Sequence, residues 1–288
     1  MRLLVTGGSG FTGRRVVAEA IRRGHTVVAL ARSGAAARVV SDLGATALSG
    51  DLDDAASVDE AFALAGCDAL VNVASLGFGH APTIVAAAEE AGIGRAVFVS
   101  TTAVTTTLAA PSKRVRLAAE ETIRASTLRA TVVRPTMIYG AAGDRNLSRL
   151  LAVLRRTPVL PVPGRGAGLQ QPVHVEDLAR AIVAAIESEA AVGRTYDVAG
   201  PNPLTFADVI AESARAVGRR TRLVPVPLAP AVAAAGLYER LVPRPRLKAE
   251  QIRRLAEDKV FGIDDAVRDL GHAPRSFRDG IAAEARSL

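Results

Sequence analysis

Three glycines at a spacing of three residues, Gly7, Gly10 and Gly13, are the strongest chemical signal in the sequence. In a turn between a strand and a helix, the first glycine permits a tight bend and the second leaves room for a pyrophosphate. The third lets the helix pack closely on the strand. The free N–H groups at the start of that helix then face the diphosphate. We therefore predict a dinucleotide site with contacts from Gly7, Ser9, Gly10, Phe11 and Thr12.

The residues after the second predicted strand indicate which dinucleotide binds. The strand at 26–31 is followed by Arg32 and Ser33, and no carboxylate is present there to accept hydrogen bonds from the adenosine ribose. An arginine at this point pairs with a 2′-phosphate, a serine donates to it, and Arg14 lies close by in the glycine turn. The pattern predicts NADP(H) rather than NAD(H); a merely solvated Arg32 is the alternative.

Two further strand ends carry residues suited to the rest of the cofactor. Asp51 follows the third strand and is placed either to accept from the adenine amino group or to cap the next helix. Ala74 and Ser75 end the fourth strand, where the cofactor ribose should pass. Ligands of parallel α/β sheets bind beyond the carboxyl ends of the strands, so these residues join the glycine turn in one predicted site.

Strands and helices alternate along the first half of the sequence, and these elements must hold the predicted site residues in place. Apolar runs predict strands at 2–6, 26–31, 45–48, 68–74, 95–100 and 130–134. The intervening segments predict helices at 14–23, 35–43, 53–65, 83–91 and 112–126. This alternation is typical of α/β proteins with a doubly wound parallel sheet of the Rossmann type.

The composition restricts the class of protein. The 288 residues are 49% hydrophobic, which is enough for a substantial core. The net charge of +7 comes from arginines spread along the chain without interleaved aromatic residues, which argues against nucleic acid and favours a phosphorylated cofactor and an acidic substrate. The single cysteine, Cys67, suits a reducing, cytoplasmic compartment. We expect no signal peptide and no integral membrane segment, because no apolar run approaches the ~20 residues that span a bilayer.

Six short motifs occur in the order found in one large superfamily. They are TGGSGFTG at 6–13, GDL at 50–52, FVST at 98–101, RPTMIYG at 134–140, HVEDL at 174–178 and YDVAG at 196–200. On these motifs the chain resembles the extended and atypical branches of the short-chain dehydrogenase/reductase superfamily, which include nucleotide-sugar epimerases and dehydratases. The resemblance implies that Asp51 and Leu52 flank the adenine, and that the main chain of Pro135 and Thr136 touches the nicotinamide carboxamide.

The usual catalytic pair of this superfamily is absent. Its members carry a tyrosine four residues before a lysine; the lysine holds the nicotinamide ribose, and the phenol exchanges a proton with the substrate. None of the three tyrosines here has a lysine four residues later. Alignment on Ala119 and Glu120 places Ser112 at the tyrosine position and Arg116 at the lysine position, while Thr102 falls on the active-site serine.

Several groups could replace the missing phenol. Arg116 can hold a ribose or a phosphate, but it is a poor proton donor because a guanidinium stays protonated. Tyr139, on the loop after the sixth strand, is the best substitute acid, with a packing role as the alternative. Lys113 reaching into the pocket and a bound water are the other options. A register with Lys113 as the catalytic lysine would pair it with Ala109 and restore no phenol.

Residues 144–156 offer a weaker signal for a substrate. Asn146 loosely matches the asparagine that binds the sugar-nucleotide pyrophosphate in nucleotide-sugar members. Arg145, Arg149 and the later Arg165 would add positive charge. The alternative is an N-cap aspartate, Asp144, followed by a solvated helix.

A short strand predicted at 169–174 contains Gln170 and ends in His174. Nucleotide-sugar members usually carry an arginine, for the diphosphate, at the position of Gln170, so the glutamine weakens that interpretation. We interpret His174 as structural rather than as a catalytic base. No spacing of histidines predicts a metal site.

The remaining segments predict a smaller lobe. The Pro- and Gly-rich residues 157–168 favour a loop or an edge segment, and 248–259 favours an amphipathic helix. The apolar residues 231–241 are expected to cover the substrate pocket; a dimer face and a membrane-surface contact are the alternatives.

Three functions follow from these features. The first is an NADP(H)-dependent oxidoreductase that acts on a small-molecule substrate without the Tyr-x-x-x-Lys pair. The second is a relative of the nucleotide-sugar epimerases and dehydratases, and the third is an NADP(H)-binding sensor or scaffold without catalysis. We expect an NADP-binding Rossmann domain at 1–155, completed by later strands, and a mainly substrate-binding lobe at 156–288, with a homodimer as an option.

Overall fold

The structure is a computed structural model that describes residues 1–108, 111–140, 143–144, 147–242 and 249–287. The chain forms two compact units. The first unit consists of Met1–Pro135, Val175–Val198 and Ile263–Ala273, and the second of Thr136–His174, Ala199–Gly262 and Pro274–Leu288. The chain thus leaves the first unit at Pro135, whereas the sequence suggests a boundary near residue 155. The assignment of the two parts to cofactor and substrate remains a prediction.

The elements of the described residues are as follows. The strands are β1 Arg2–Thr6, β2 Thr26–Ala31, β3 Thr46–Ser49, β4 Ala69–Asn72, β5 Arg95–Val99, β6 Arg129–Pro135, β7 Ile138–Tyr139, β8 Val159–Pro163, β9 Leu169–Gln170, β10 Val173–His174, β11 Thr195–Val198, β12 Leu204–Thr205 and β13 Arg222–Val226. The α-helices are α1 Phe11–Arg22, α2 Gly34–Ser41, α3 Ala55–Ala65, α4 Ala81–Glu90, α5 Pro111–Ala125, α6 Leu147–Leu154, α7 Val175–Glu187, α8 Phe206–Ala216, α9 Leu228–Leu241, α10 Ala249–Leu255, α11 Asp264–Leu270 and α12 Phe277–Ser287. Short 3₁₀ helices lie at Leu76–Phe78, Thr102–Thr105, Gly164–Gly166 and Glu189–Ala191.

A seven-stranded sheet in the order β11-β6-β5-β4-β1-β2-β3 forms the centre of the first unit. Every pairing within it is parallel. A parallel sheet is covered on both faces, and β1, β4 and β5 are accordingly apolar and buried along most of their length. The prediction of a doubly wound parallel α/β sheet is confirmed.

Helices cover both faces of this sheet because the direction of strand addition reverses at β1. Right-handed crossovers place α1 and α2 on one face and α3, α4 and α5 on the other. On the second face, Leu4, Leu70 and Phe98 of the sheet pack with Phe62 of α3 and Ile84 of α4. The reversal separates the ends of β1 and β4, and such a crevice is where ligands of this architecture bind.

The second unit has small sheets of two strands each, and its core is formed mainly by helices. β10 pairs with β7 and β13 pairs with β8, both in parallel, while β12 pairs antiparallel with β9. One core cluster joins Tyr139 of β7 to Leu151 of α6, Val209 of α8, and Phe277 and Ile281 of α12.

The prediction of a single strand at 169–174 is wrong. β9 and β10 are separate strands that pair with different partners. Pro172 between them has no N–H to donate to a ladder. The side chain of Gln171 is also occupied, because its Nε2 donates to the carbonyl oxygen of Gly200 at 2.8 Å.

The predicted helix at 248–259 is shorter in the structure. α10 ends at Leu255 rather than at residue 259, and Lys248 lies outside the described residues. The chain beyond α10 is held by β9, since Lys259 N–H donates to the Leu169 carbonyl and Leu169 N–H donates to Asp258 Oδ1, each at 2.8 Å. The apolar residues 231–241 lie within α9, which begins at Leu228. Among the described residues, no helix has the length and apolarity needed to cross a membrane.

Candidate functional site

The turn between β1 and α1 has the geometry that its three glycines predict. Gly7 has a φ of +70°, and a Cβ there would lie 2.7 Å from the main-chain N of Ala74. A Cβ on Gly13 would lie 2.0 Å from the carbonyl oxygen of Gly7. Gly10 N–H donates to that same carbonyl at 3.0 Å. Larger residues at positions 7 and 13 are therefore incompatible with this turn.

The N-terminus of α1 is open at this turn. Its N-cap, Gly10, has no side chain to accept hydrogen bonds from the first N–H groups, and the first turn carries no acidic residue. Ser9, Phe11 and Thr12 are half-buried beside it. Polarised N–H groups without a side-chain acceptor fit the diphosphate of a dinucleotide.

Two arginines supply positive charge next to this helix end. The Nε of Arg14 is buried and has no hydrogen-bond partner in the described part of the chain. Arg32, after β2, is exposed and makes no ion pair with any described residue. Ser33 caps α2 by accepting from the Ala36 N–H at 3.2 Å, which leaves its own hydroxyl hydrogen to donate. A buried guanidinium N–H without an acceptor is costly, and an anionic group at this place would satisfy it.

The carboxylate of Asp51, after β3, stabilises a local turn. Its Oδ1 accepts from the Asp53 N–H at 3.1 Å, while its own N–H donates to Ser57 Oγ at 3.1 Å. The N-cap of α3 is instead Asp54, which accepts from two N–H groups of the first turn. Asp51 therefore does not cap the helix, and Leu52 beside it packs against the sheet core. Their contact with adenine remains a prediction.

The residues after β4 lie against the glycine turn on one side and α5 on the other. Asn72 Nδ2 donates to the carbonyl of Ala74 at 3.1 Å, and the main-chain N of this same residue lies against Gly7. Ser75 Oγ accepts from the Gly77 N–H at 3.2 Å. A Cβ on Gly77 would lie 2.9 Å from Nη2 of Arg116, so this guanidinium packs directly on the chain after β4. The structure thus brings Arg116 next to the segment predicted to contact the ribose.

Of the other candidate catalytic residues in the first unit, Thr102 lies where β5 and β6 end, whereas Ser112 and Lys113 belong to α5. Thr102 is buried, and its Oγ1 donates to the Pro135 carbonyl at 3.2 Å. Ser112 is exposed in the first turn of α5, and its carbonyl accepts from Nη1 of Arg116 at 3.2 Å. Lys113 Nζ donates to the Thr106 carbonyl at 2.6 Å, so it is engaged with the preceding loop. Ala109, the partner in the alternative register, lies outside the described residues.

A buried polar cluster behind these residues was missed from the sequence. Glu120 of α5 is 2% exposed and accepts from Ser100 Oγ at 2.5 Å. Arg134 of β6 also donates to it, and this hydrogen bond raises the pKa of the guanidinium. Burial raises the pKa of Asp197, the residue of β11 that lies opposite Arg134 in the register of β11 and β6. The only signal in the sequence was a glutamate on an apolar helix face.

In the second unit, Tyr139 is a core residue. It is fully buried, its ring meets that of His174 edge-on at 5.3 Å, and it packs on Phe277 at 5.1 Å. This burial favours a packing role for Tyr139 over the predicted role of proton donor. Thr136 is buried as well and donates from its Oγ1 to the Gln171 carbonyl at 2.5 Å. Contact of Thr136 with the carboxamide remains a prediction.

A carboxylate of α12 reaches the loop that follows Tyr139. Glu284 is 1% exposed, and its Oε2 accepts from the Gly140 N–H at 2.9 Å. Burial, followed by the charge of Asp144, raises the pKa of Glu284 to about 7. Asp144 caps α6 by accepting from the Leu147 N–H at 2.8 Å, which supports the alternative interpretation of that aspartate.

Gln170 has a lysine as its neighbour. Lys259 Nζ donates to Gln170 Oε1 at 3.0 Å, and burial lowers the pKa of this lysine to about 8. Arg149 and Arg165 are both exposed, and Arg165 has a φ of +64°. Arg145 and Asn146 lie outside the described residues.

The parallel sheet, the glycine turn at its reversal point and the uncapped helix end define a dinucleotide-binding protein of the Rossmann type. Residues 7–189 match the model of a family described as NAD(P)H-binding, and the chain belongs to this family. The resemblance to the extended short-chain dehydrogenase/reductase superfamily is confirmed.

Curated relatives match over nearly the whole chain. The 4-hydroxy-2-methyl-3-oxo-4-farnesyl-3,4-dihydroquinoline-1-oxide ketoreductase of Stigmatella aurantiaca is 29% identical, with 98% of this chain and 95% of that protein covered. The 2-alkyl-3-oxoalkanoate reductase of Stenotrophomonas maltophilia is 28% identical, with 98% and 97% covered. These relatives identify the chain as an NAD(P)-dependent oxidoreductase.

The solved structures agree on the fold. A UDP-glucose-4-epimerase from Stenotrophomonas maltophila with bound NAD superposes with a TM-score of 0.78 at 19% identity, and the match covers 100% of this chain and 97% of that one. At this identity the likeness concerns the architecture alone.

Proposed function

We propose that this protein is an NADPH-dependent reductase that transfers hydride to a ketone of a small-molecule substrate. The observation that carries the choice of NADPH is the buried Nε of Arg14, which has no partner in the described structure and lies in the first turn of α1. The choice of a ketone is supported by the relatives, since one is named a ketoreductase and another reduces a 3-oxoalkanoate.

The 2′-phosphate of NADPH would account for two positive charges, that of Arg14 in the first turn of α1 and that of Arg32 after β2. Arg14 and Arg32 would pair with the 2′-phosphate, and the Ser33 hydroxyl would donate a hydrogen bond to this phosphate. The segment after β2 carries no carboxylate that would repel the phosphate. A hydrogen bond to a charged group contributes about 1.5–3 kcal/mol, so we expect a preference for NADPH over NADH of roughly 10- to 100-fold.

The rest of the cofactor would follow the carboxyl edge of the sheet. The proposed contacts, from diphosphate to nicotinamide, are Gly7, Ser9, Gly10, Phe11, Thr12, Asp51, Leu52, Ala74, Ser75, Arg116, Pro135 and Thr136. In support, the open N-terminus of α1 leaves N–H groups for the diphosphate, and Arg116 packs on the segment after β4.

NADPH would supply the hydride, and the chain's own residues would hold the ketone and manage the proton. The exposed hydroxyl of Ser112 has no hydrogen-bond partner among the described residues and would donate to the ketone oxygen, whereas the buried hydroxyl of Thr102 is engaged with Pro135. Arg116, one turn after Ser112, would offset the negative charge that develops on that oxygen. A serine has little acidity, so we propose that a bound water delivers the proton.

Adenosine phosphates test the cofactor choice without any turnover. Isothermal titration should show 2′,5′-ADP binding roughly 10- to 100-fold more tightly than 5′-AMP. Arg14→Gln and Arg32→Gln should reduce this preference, while the matched change Arg124→Gln, at an exposed ion pair of α5, should leave it intact. Equal affinities in the wild type would contradict the phosphate assignment.

Steady-state kinetics with a panel of ketones tests the chemistry. Ser112→Ala should lower kcat by roughly 10- to 100-fold while leaving the Kd for NADPH unchanged, because it removes a hydrogen bond to the reacting oxygen. Tyr139→Phe should retain nearly full activity. A Tyr139→Phe variant that folds normally but has lost turnover would restore the phenol as the proton donor.

A cytoplasmic location and a homodimer are two further parts of the proposal. The single free cysteine, Cys67, supports a reducing compartment. Sedimentation of the purified protein tests the dimer.

A further inference from the structure

An apolar groove runs along α9 in the second unit. It has a volume of about 790 Å³, and its floor contains Leu228 and Val232 of α9 and Ala249 of α10. Small residues, Ala233 and Gly236, keep it open along the helix. Ala235 of α9 packs with Ala249 and Ile252 of α10, and the groove-lining Leu228 and Val232 pack against this same cluster.

The charged residues that line the groove have one sign. They are Arg240 and Arg253, both exposed, and the guanidinium group of neither forms an ion pair or a hydrogen bond with any other residue that the structure describes. The acidic neighbours are engaged elsewhere: Glu239 accepts from the Ala249 N–H, and Glu250 lies 3.8 Å from Arg254. Within the described part of the chain, two guanidinium groups thus lack a counter-charge at an apolar surface.

We propose that this groove binds a long-chain carboxylate, with the hydrocarbon chain along α9 and the carboxylate on Arg240 and Arg253. The apolar lining accounts for the chain, and the two uncompensated arginines account for the anionic end. The lining residues of α9 extend from Leu228 to Arg240, which at 1.5 Å per residue gives a length of roughly 18 Å, enough for about a dozen carbons.

The binding of a carboxylate in this groove does not depend on the proposed function. A volume of about 790 Å³ also lies within the range of small-molecule sites.

Titration calorimetry with dodecanoate, below its micellar concentration, tests the site on the full chain. We expect one molecule to bind per chain, and decanoate to bind roughly tenfold more weakly because it lacks two methylene groups. Dodecyltrimethylammonium should bind at least tenfold more weakly than dodecanoate. Equal affinities for the cationic and anionic amphiphiles would overturn the proposal.

Neighbouring residues on one helix provide the matched variants. Ala233→Trp should fill the groove and abolish dodecanoate binding, whereas Ala234→Trp, at an exposed position outside the groove, should not. Arg240→Gln and Arg253→Gln should each weaken binding at least threefold, and Arg278→Gln, an exposed arginine of α12, should have no effect.

Other occupants of the groove give distinct results. Binding to anionic vesicles without binding of monomeric dodecanoate would assign the groove to a membrane surface, and loss of a dimer in Ala233→Trp would assign it to a second copy; both overturn the proposal. Dodecanoate binding without NADPH binding would leave the groove assignment intact and refute the proposed function. NADPH-dependent turnover without dodecanoate binding would refute the groove assignment and leave the proposed function intact.

Discussion

Arg134 of β6 donates from its Nε to Glu120 Oε1 at 3.0 Å, and its Nη2 forms a second bond to the other carboxylate oxygen. Ser100, directly after β5, donates to the same carboxylate. Glu120 therefore fixes α5, which carries Ser112 and Arg116, to the ends of two strands of the sheet. The pair is a positioning device for the proposed site.

Removing one partner of the Glu120–Arg134 pair should lower the stability of the protein. Glu120→Ala leaves a half-buried guanidinium without its counter-charge, and we expect the free energy of unfolding to fall by about 3–5 kcal/mol. Glu121→Ala is the matched control, because Glu121 is exposed and its ion pair is with the exposed Arg124, and it should cost less than about 1 kcal/mol. Urea denaturation measures both. Equal losses for the two variants would contradict a structural role for Glu120.

Gly10→Ala should separate cofactor binding from folding. The added Cβ would lie 3.2 Å from the Gly7 carbonyl, which is tight but short of a clash, at the place proposed for the pyrophosphate. We expect a native circular dichroism spectrum and an NADPH affinity reduced by roughly 30-fold or more, since main-chain contacts worth about 2 kcal/mol are blocked. Gly94→Ala, where the Cβ would meet open space, serves as the control. Unchanged affinity in Gly10→Ala would place the diphosphate elsewhere.

Glu284 should make stability depend on pH. Its folded pKa of about 7 lies above the usual value of 4.5, so the folded state holds this proton more tightly and the contribution to stability falls as the pH rises from 4.5 to 7. Glu284→Gln cannot ionise, and it should be more stable than the wild type by up to about 3 kcal/mol at pH 8 and nearly equal at pH 4.5. Thermal melts at the two pH values measure this difference, with the exposed Glu90→Gln as the control. A difference that is independent of pH would refute the assignment.

Lys259 should show the opposite trend at higher pH. Burial lowers its folded pKa from 10.5 to about 8, so the folded state releases this proton more readily and stability rises as the pH increases from 8 to 10.5. Lys259→Met removes that titration. The melting temperature of the wild type minus that of the variant should therefore increase across this interval. A constant difference would show that the ammonium is not destabilised by the fold.

The features that the sequence predicts well are local ones. The strand, turn and helix around Gly7 and Gly13 are contiguous, and each residue's steric demand is visible from its type and spacing. The alternation of strands and helices then determined the sheet, because right-handed crossovers leave few topologies.

The features that could not be predicted from the sequence depend on contacts between residues far apart in the chain. Tyr139 is buried by Phe277, which follows it by more than a hundred residues, so its position after β6 could not reveal that its ring packs in a core. Gln170 and Lys259 are likewise joined only by the fold. The division of 169–174 into two strands depends on β7 and β12, which supply different partners.

The central sheet is not complete until late in synthesis. Its edge strand β11, at Thr195–Val198, pairs with β6, which ends at Pro135. While the ribosome makes the intervening stretch, the main-chain groups of β6 on that side have no neighbour, and an open edge of this kind invites pairing with other nascent chains. A fragment that stops at Pro135 would keep this edge open permanently, so we expect it to aggregate, and a dissection of the molecule should retain the chain at least through Ala273.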